Sequence, residues 1–314
     1  MKIIHVTDTH LAPVGTRYRQ DNYEDAIFAK LSQVAAAARE LEALVIHTGD
    51  VFDLQNPQGV PRELIYRFSE FIAESGVGWV LLAGQHDFRG RDPSGGRYSP
   101  LGLLKHHRNV VFSDPTLPVA RFCFSWGSLI CVQYHNGIMG TLQRLGEAID
   151  ERVSIIAVHA MLTDMPVPWD HLLLDDLTDL PAQMVLSGDY HAGFAFTTRE
   201  GPAGPIHFCN PGGLGRVDRN EAERTPQYAI VDPLEGTATY VKVNASPGAE
   251  AFDLIKAEDD VAKTNTRSAF AERIGSLDIG LEMSFDRLVQ QLPKEDERIV
   301  ERAREFYQQA SVPS

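Results

Sequence analysis

Five short clusters of acidic and histidine residues carry the chemistry in this chain, each following an apolar run: Asp8-Thr9-His10, Gly49-Asp50, Gly84-Gln85-His86-Asp87, a lone His159, and Gly188-Asp189-Tyr190-His191. Their carboxylates, amide and imidazoles offer enough oxygen and nitrogen donors for two adjacent divalent ions. The preceding runs are Ile3 to Val6, Ala43 to Ile46, Trp79 to Ala83, Val153 to Val158 and Met184 to Leu186. They are short, aliphatic or β-branched, and bounded by Gly or polar residues, which predicts buried strands. In packed α/β layers, ligands gather beyond the carboxyl ends of strands, so the five clusters are expected to converge on one crevice.

Between these strands the helical intervals are regular. Ile27, Leu31, Val34 and Ala38 predict a helix over 23–41, with Asp21 and Glu24 at capping-box spacing. A second helix is predicted from Pro61 to Ser75, with Gly76 past its end. Arg121 to Trp126 and Ser128 to Gln133 read as a hairpin turning at Gly127, a helix spans roughly 140–150, and 205–243 reads as short strands with Gly and Pro turns. The expected fold class is α/β, with two packed sheets flanked by helices. Beyond residue 245 the composition shifts to Glu, Lys, Arg and Gln, and a linker at 245–248 separates a catalytic domain at 1–244 from a mostly helical extension at 245–314. Candidate helices there are 266–275, 281–292 and 294–310, the last with Ile299, Ala303, Phe306 and Tyr307 in an apolar stripe. That stripe either packs on its own domain or meets a partner.

A chain of 314 residues that is 43% hydrophobic can bury a sizeable core. No stretch reaches the roughly 18 apolar residues of a spanning helix, and the N-terminus opens directly into a strand, so no membrane association and a cytoplasmic location are expected. Cys123, Cys131 and Cys209 lack metal-type spacing and read as reduced, mostly buried thiols. A net charge of −14 excludes a generally DNA-adhesive surface, because such affinity comes from neutralising phosphates with Lys and Arg. A DNA enzyme of this balance must concentrate its basic residues locally or borrow them.

The order Asp-x-His, Gly-Asp, Gly-Gln-His-Asp, His, Gly-Asp-x-His resembles the signature of the calcineurin-like metallophosphoesterases over roughly the first 230 residues. Gln85 stands where that family has Asn, and Asp189 where it has His. Gly49-Asp50-Val51-Phe52-Asp53 with Asn56-Pro57, and later Asn210-Pro211-Gly212-Gly213-Leu214, are similar to segments of SbcD-type DNA repair exonuclease subunits of bacteria and phages. The resemblance implies a four-layer sandwich of two mixed β-sheets between helices. Carried over motif by motif, it implies that Asp8, His10 and His191 hold one metal, that Gln85, His159 and Asp189 hold a second, and that Asp50 bridges them. His86 then fits as the group that contacts the phosphate and protonates the leaving oxygen, since an imidazole can hold a proton near neutrality and release it. Asp87 either orients His86 or caps the turn.

Asp189 in place of an imidazole brings the ligand charge to −3 against +4 from two divalent ions. Oxygen donors favour hard metals, so manganese is expected, with magnesium as the alternative. Gln85 is one methylene longer than Asn, so its carbonyl reaches the second metal only if the loop retreats or a water intervenes. His5, His47, His106, His107, His135, His171 and His207 lack partner spacing and read as structural.

The 88–98 loop follows the catalytic motif and combines Arg89, Arg91 and Arg97 with Phe88, Tyr98 and several glycines. It is either a DNA contact, with Arg for phosphates and aromatics for bases, or a solvated loop. Arg216, Arg219 and Arg224 form a second candidate basic patch, and the resemblance to SbcD-type subunits implies that Asp53, three residues after Asp50, faces the substrate. The reading that follows is a two-metal phosphodiesterase acting on DNA ends with an SbcC-type coiled-coil ATPase, with a homodimer also open. The alternatives are a stand-alone phosphatase or cyclic-nucleotide phosphodiesterase, and a non-catalytic scaffold subunit.

Overall fold

A computed structural model describes residues 1–260 apart from 17, 149–151 and 258. The first strand, β1 (Ile3–Val6), leads through the first motif to helix α1 (Tyr23–Glu40), and β2 (Leu44–His47) leads to α2 (Arg62–Ser75). After β3 (Trp79–Leu81), three 3₁₀ turns and the short helix α3 (Pro100–Leu104) reach β4 (Val110–Phe112). The hairpin β5 (Val119–Phe124) and β6 (Gly127–Val132) is followed by α4 (Ile138–Ala148) and β7 (Val153–His159). Two short strands, β8 (Leu162–Thr163) and β9 (Leu172–Leu173), pair with each other before β10 (Ala182–Gly188). The remaining strands are β11 (Phe194–Gly201), β12 (Gly204–Asn210), β13 (Gln227–Asp232) and β14 (Thr237–Lys242).

They form two mixed six-stranded sheets, ordered β14-β13-β1-β2-β3-β4 and β11-β12-β10-β7-β6-β5. The central strands of each sheet run parallel, and antiparallel pairs close the β14/β13 side of the first sheet and both sides of the second. Strand alternation divides the apolar side chains between two faces. Ile3, Ile46, Val80, Leu129, Ile155, Ala157 and Leu186 fill the space between the sheets. Ile4, Val6, Val45 and Leu81 face the layer of α1 and α2, while Ile156, Val158 and Val185 face Leu142 and Leu145 of α4. The order is therefore helices, sheet, sheet, helix, the four-layer α/β sandwich.

Local signals explain most boundaries. The N-cap of α1 is Asn22, whose side chain accepts from the Asp25 N–H at 3.2 Å. This corrects the expected Asp21 cap, because both Asp21 oxygens are engaged by the Arg19 guanidinium at 2.6 and 2.8 Å. Helix α2 ends at Gly76 in the left-handed conformation, φ 69°, as a C-terminal glycine permits. The core beneath it includes Phe68, wholly buried and packed edge-on against Phe52.

The chain divides into two compact units, residues 1–257 and 258–314. Ala251 and Phe252 are buried within the first unit against Ala222 and Tyr18. The three helices expected at 266–275, 281–292 and 294–310 lie outside the described residues. No described helix is long and apolar enough to cross a membrane.

Candidate metal centre

The loops after β1, β2, β3, β7 and β10 meet at one end of the two sheets, and the backbone there is bent to bring their side chains inward. Asp8, His10, Asp50 and Asp189 all have positive φ, between 46° and 75°. This conformation is uncommon for residues with a Cβ and concentrates at functional sites. Close approach also explains one glycine: a Cβ on Gly84 would fall 2.1 Å from Asp50 Oδ1 and 2.6 Å from His159 Nε2.

One group of side chains that could hold a cation comprises Asp8, His10 and His191. His10 Nε2 and His191 Nε2 are 3.0 Å apart, and Asp8 Oδ1 is 3.9 and 3.6 Å from them. His191 Nδ1 bonds Glu221 Oε1 at 2.9 Å, so in the neutral ring its Nε2 presents a lone pair to the cluster. Burial holds His10 down at about 4, favouring the neutral imidazole that ligation requires. For His191 burial acts the same way, but Asp8 and Glu221 outweigh it and raise its pKa.

The second group comprises Gln85, His159 and Asp189. Gln85 Nε2 donates to Asp189 Oδ1 at 2.6 Å, which turns its Oε1 toward His159 Nε2 at 2.8 Å. His159 Nδ1 donates to the Thr48 carbonyl at 2.7 Å, so the neutral ring would set a lone pair against the amide oxygen. Only a proton or a cation satisfies that pairing. Without a cation, Asp50, Asp189 and Asp8 overcome burial and raise His159 to about 10, which registers the negative potential converging on its ring.

Asp50 lies between the groups. Its Oδ1 accepts from the His86 N–H at 2.7 Å, while Oδ2 is buried and has no hydrogen-bond partner among the described residues. That oxygen is 3.6 Å from His10 Nε2 and 3.4 Å from His159 Nε2. A buried carboxylate oxygen is normally satisfied, and an orphan set between imidazoles of two ligand groups fits a position bridging two cations. Asp8-His10-His191 and Asp8-Asp50-His159 each present donors within 4.8 Å of one another, as metal ligands must.

His86 stands at the edge of this centre, its ring edge-on to His10 at 4.6 Å and its side chain 22% exposed. The carboxylate that holds it is Asp53, with Oδ1 at 2.9 Å from His86 Nδ1. Asp53 and Asp50 raise the His86 pKa against the effect of burial. Asp87 does not orient His86. Its oxygens accept from the backbone N–H groups of Gly84, Val51 and Phe52 at 2.9, 3.1 and 2.8 Å, and it is fully buried. The catalytic assignment of Asp87 is thus corrected to a structural one, because the strand-end loops leave three N–H groups needing an acceptor there.

Arg89, Arg91 and Arg97 are exposed on the loop beyond His86, and Tyr98 is 79% exposed with the Arg97 guanidinium over its ring. Phe88 is buried against Tyr134 and offers no face for stacking. The expected basic patch at Arg216, Arg219 and Arg224 is turned onto backbone carbonyls, with Arg216 buried and the other two partly exposed. Arg216 is buried and donates to the Ala222 and Ser246 carbonyls, Arg224 donates to those of Gly213 and Gly215, and Arg219 donates to that of Ala257. His5 and His47 are wholly buried beneath the centre, bonded to Thr48 and Thr9.

Glu221 escaped the sequence reading. It fixes the His191 ring, its other oxygen accepts from Val217 and Asp218 N–H groups, and burial is outweighed by His191 and Arg224 to hold it down at about 2. Nothing in its spacing, 30 residues after His191, marks it.

The sequence model of the calcineurin-like phosphoesterase family matches residues 1–193. The chain is similar to DNA double-strand break repair protein Mre11 of Sulfurisphaera tokodaii, 32% identical over 87 residues, which are 27% of this chain and 22% of that protein. The same protein of Sulfolobus acidocaldarius is 28% identical over 88 residues, 28% of this chain and 22% of that one. These matches span about a fifth of either relative. A solved structure described as a novel archaeal phosphodiesterase aligns with 77% of this chain and 100% of its own at 13% identity and a TM-score of 0.43.

Proposed function

The chain belongs to the calcineurin-like phosphoesterase family, and on that premise we propose that it is a two-metal phosphodiesterase that cleaves DNA at or near ends. The observation that carries the two-metal reading is Asp50 Oδ2, buried, unpartnered among the described residues, and within 3.6 Å of imidazoles from both groups. Asp8, His10 and His191 would hold one ion, and Gln85, His159 and Asp189 the other. Three carboxylates and an amide oxygen in this set favour manganese, then magnesium.

A pair of divalent ions held by these residues would make a hydroxide available at neutral pH and would neutralise charge on the phosphoryl oxygens. The chain's own residues do the rest. His86, held by Asp53 at Nδ1, keeps Nε2 for the substrate and delivers a proton to the leaving oxygen. Asp87 anchors the backbone that carries His86. Arg89, Arg91 and Arg97 meet the phosphates on either side of the cut, and Tyr98 offers a ring to a frayed base.

DNA as substrate is supported by the partial likeness to the two repair proteins and by the exposed arginines beside His86. A protein of net charge −14 then borrows further DNA affinity from a partner, which we assign to a coiled-coil ATPase of the SbcC type. The test is manganese-dependent degradation of end-labelled duplex DNA, run beside His86→Ala and a cyclic nucleotide. Cleavage of the duplex, lost in the variant, supports the nuclease. Cleavage of the cyclic nucleotide alone makes the chain a small-molecule phosphodiesterase, and turnover of neither makes it a scaffold.

A further inference from the structure

The segment Gly213-Leu214-Gly215-Arg216 presents four consecutive carbonyls, and every one accepts from a cationic side chain. Arg224 serves Gly213 and Gly215, Lys30 serves Leu214 at 2.9 Å, and Arg19 serves Arg216 at 2.8 Å. Its N–H groups meet the carbonyls of His191, Thr7 and Asp8. Beside this segment lies a cavity of about 330 Å³ whose wall includes Arg19, Asp21, Lys30, Arg216, Asn244 and Ser246. That is the low end of the range for small-molecule clefts. None of these side chains belongs to the metal centre.

The cavity wall has donors to spare. An ammonium has three N–H donors, yet Lys30, 2% exposed, makes a single hydrogen bond among the described residues. Buried polar groups are normally satisfied, so the unused donors of Lys30, a residue of the cavity wall, need an acceptor that the described residues do not provide. The charge is also unbalanced. Three cations against Asp21 leave a surplus of two in the wall. Burial, helped by Arg19, Arg216 and Arg224, pushes the Lys30 ammonium down to about 7.

We propose that this cavity is a binding site for a phosphomonoester, whose oxygens take the unused donors of Lys30 and whose charge of about −2 balances the wall. The ligand is either inorganic phosphate or a phosphorylated molecule of nucleotide size.

The test is thermal unfolding of the full chain, stripped of metal with EDTA so that no phosphate is held by ions at the catalytic centre, at constant ionic strength set with chloride. The probes are inorganic phosphate, dAMP and adenosine. Millimolar phosphate or dAMP is expected to raise Tm by about 2 °C or more, with adenosine inert. Ser246→Glu sets a carboxylate at the cavity mouth from an exposed position without removing any buried bond, and it should abolish the shift, as should Lys30→Met. His86→Ala should keep it. A larger shift with dAMP than with phosphate identifies the nucleotide as ligand, and equal shifts identify phosphate itself. No phosphate shift beyond the chloride control, an equal shift with adenosine, or a shift surviving Ser246→Glu and lost in His86→Ala would overturn the proposal. Failure of DNA cleavage would not touch it, since the site is read without metal or turnover.

Discussion

Asp53 Oδ1 stands 2.9 Å from His86 Nδ1, so the carboxylate three residues after the Asp50 position holds the imidazole at the edge of the metal centre. Adjacency in sequence would have given that task to Asp87, which is turned the other way, onto the backbone. The two carboxylates therefore fail differently when removed.

Asp53→Ala should lower kcat by about tenfold to a hundredfold with little change in KM, because it leaves an acid present but loosely oriented. Asp53→Asn, which retains an oxygen acceptor, should recover part of the loss. Steady-state kinetics on a small phosphodiester would check this, and an Asp53→Ala enzyme of full kcat would contradict it.

Asp87→Ala should instead destabilise the fold. It strands three buried N–H groups, each costing roughly 1–3 kcal/mol, so a loss of about 3 kcal/mol or more is expected. Denaturant unfolding of the two variants separates the roles: the midpoint should move for Asp87→Ala and stay nearly fixed for Asp53→Ala.

How far the sequence reaches is visible in these same residues. That Asp8, His10, Asp50, His159, Asp189 and His191 come together was legible because each is tied to the end of a short apolar strand, and parallel pairing leaves such ends together. Strands β1, β2 and β7 were legible as short apolar runs, but a run buried on both faces does not show which side chain goes to which face. Hydrogen-bond choice was not. Whether a carboxylate meets an imidazole or three N–H groups depends on the path of loops 36 residues apart, as for Asp87 and Val51. The arginines at 216 and 224 read as a patch because composition cannot tell a guanidinium in water from one feeding buried carbonyls. Glu221 was invisible for the same reason: it acts on a residue 30 positions away.

Glu221→Gln should weaken manganese binding at the Asp8, His10 and His191 group by about tenfold to a hundredfold, since the carboxylate fixes the His191 ring and strengthens its donor nitrogen. Calorimetric titration of the metal-free protein would show it, and unchanged affinity would leave Glu221 a purely structural residue.

Lys30 gives a pH dependence of stability. Its folded pKa, about 7, lies below its ordinary value of 10.5, so between the two the unfolded chain binds more protons and stability rises with pH. The gain from pH 7 to 9 is at most about 2.7 kcal/mol, one proton over two units. The difference in unfolding free energy between the native protein and Lys30→Met should change across that interval and be flat below it. A constant difference from pH 7 to 9 would mean that Lys30 titrates normally.

The measurement closest to the central claim is the manganese content of the chain and the magnetic coupling between its ions. Two ions per chain are expected, coupled through a shared carboxylate in electron paramagnetic resonance, and Asp50→Ala should abolish the coupling. A single ion at saturation, or a coupled pair that survives Asp50→Ala, would contradict a centre bridged by Asp50.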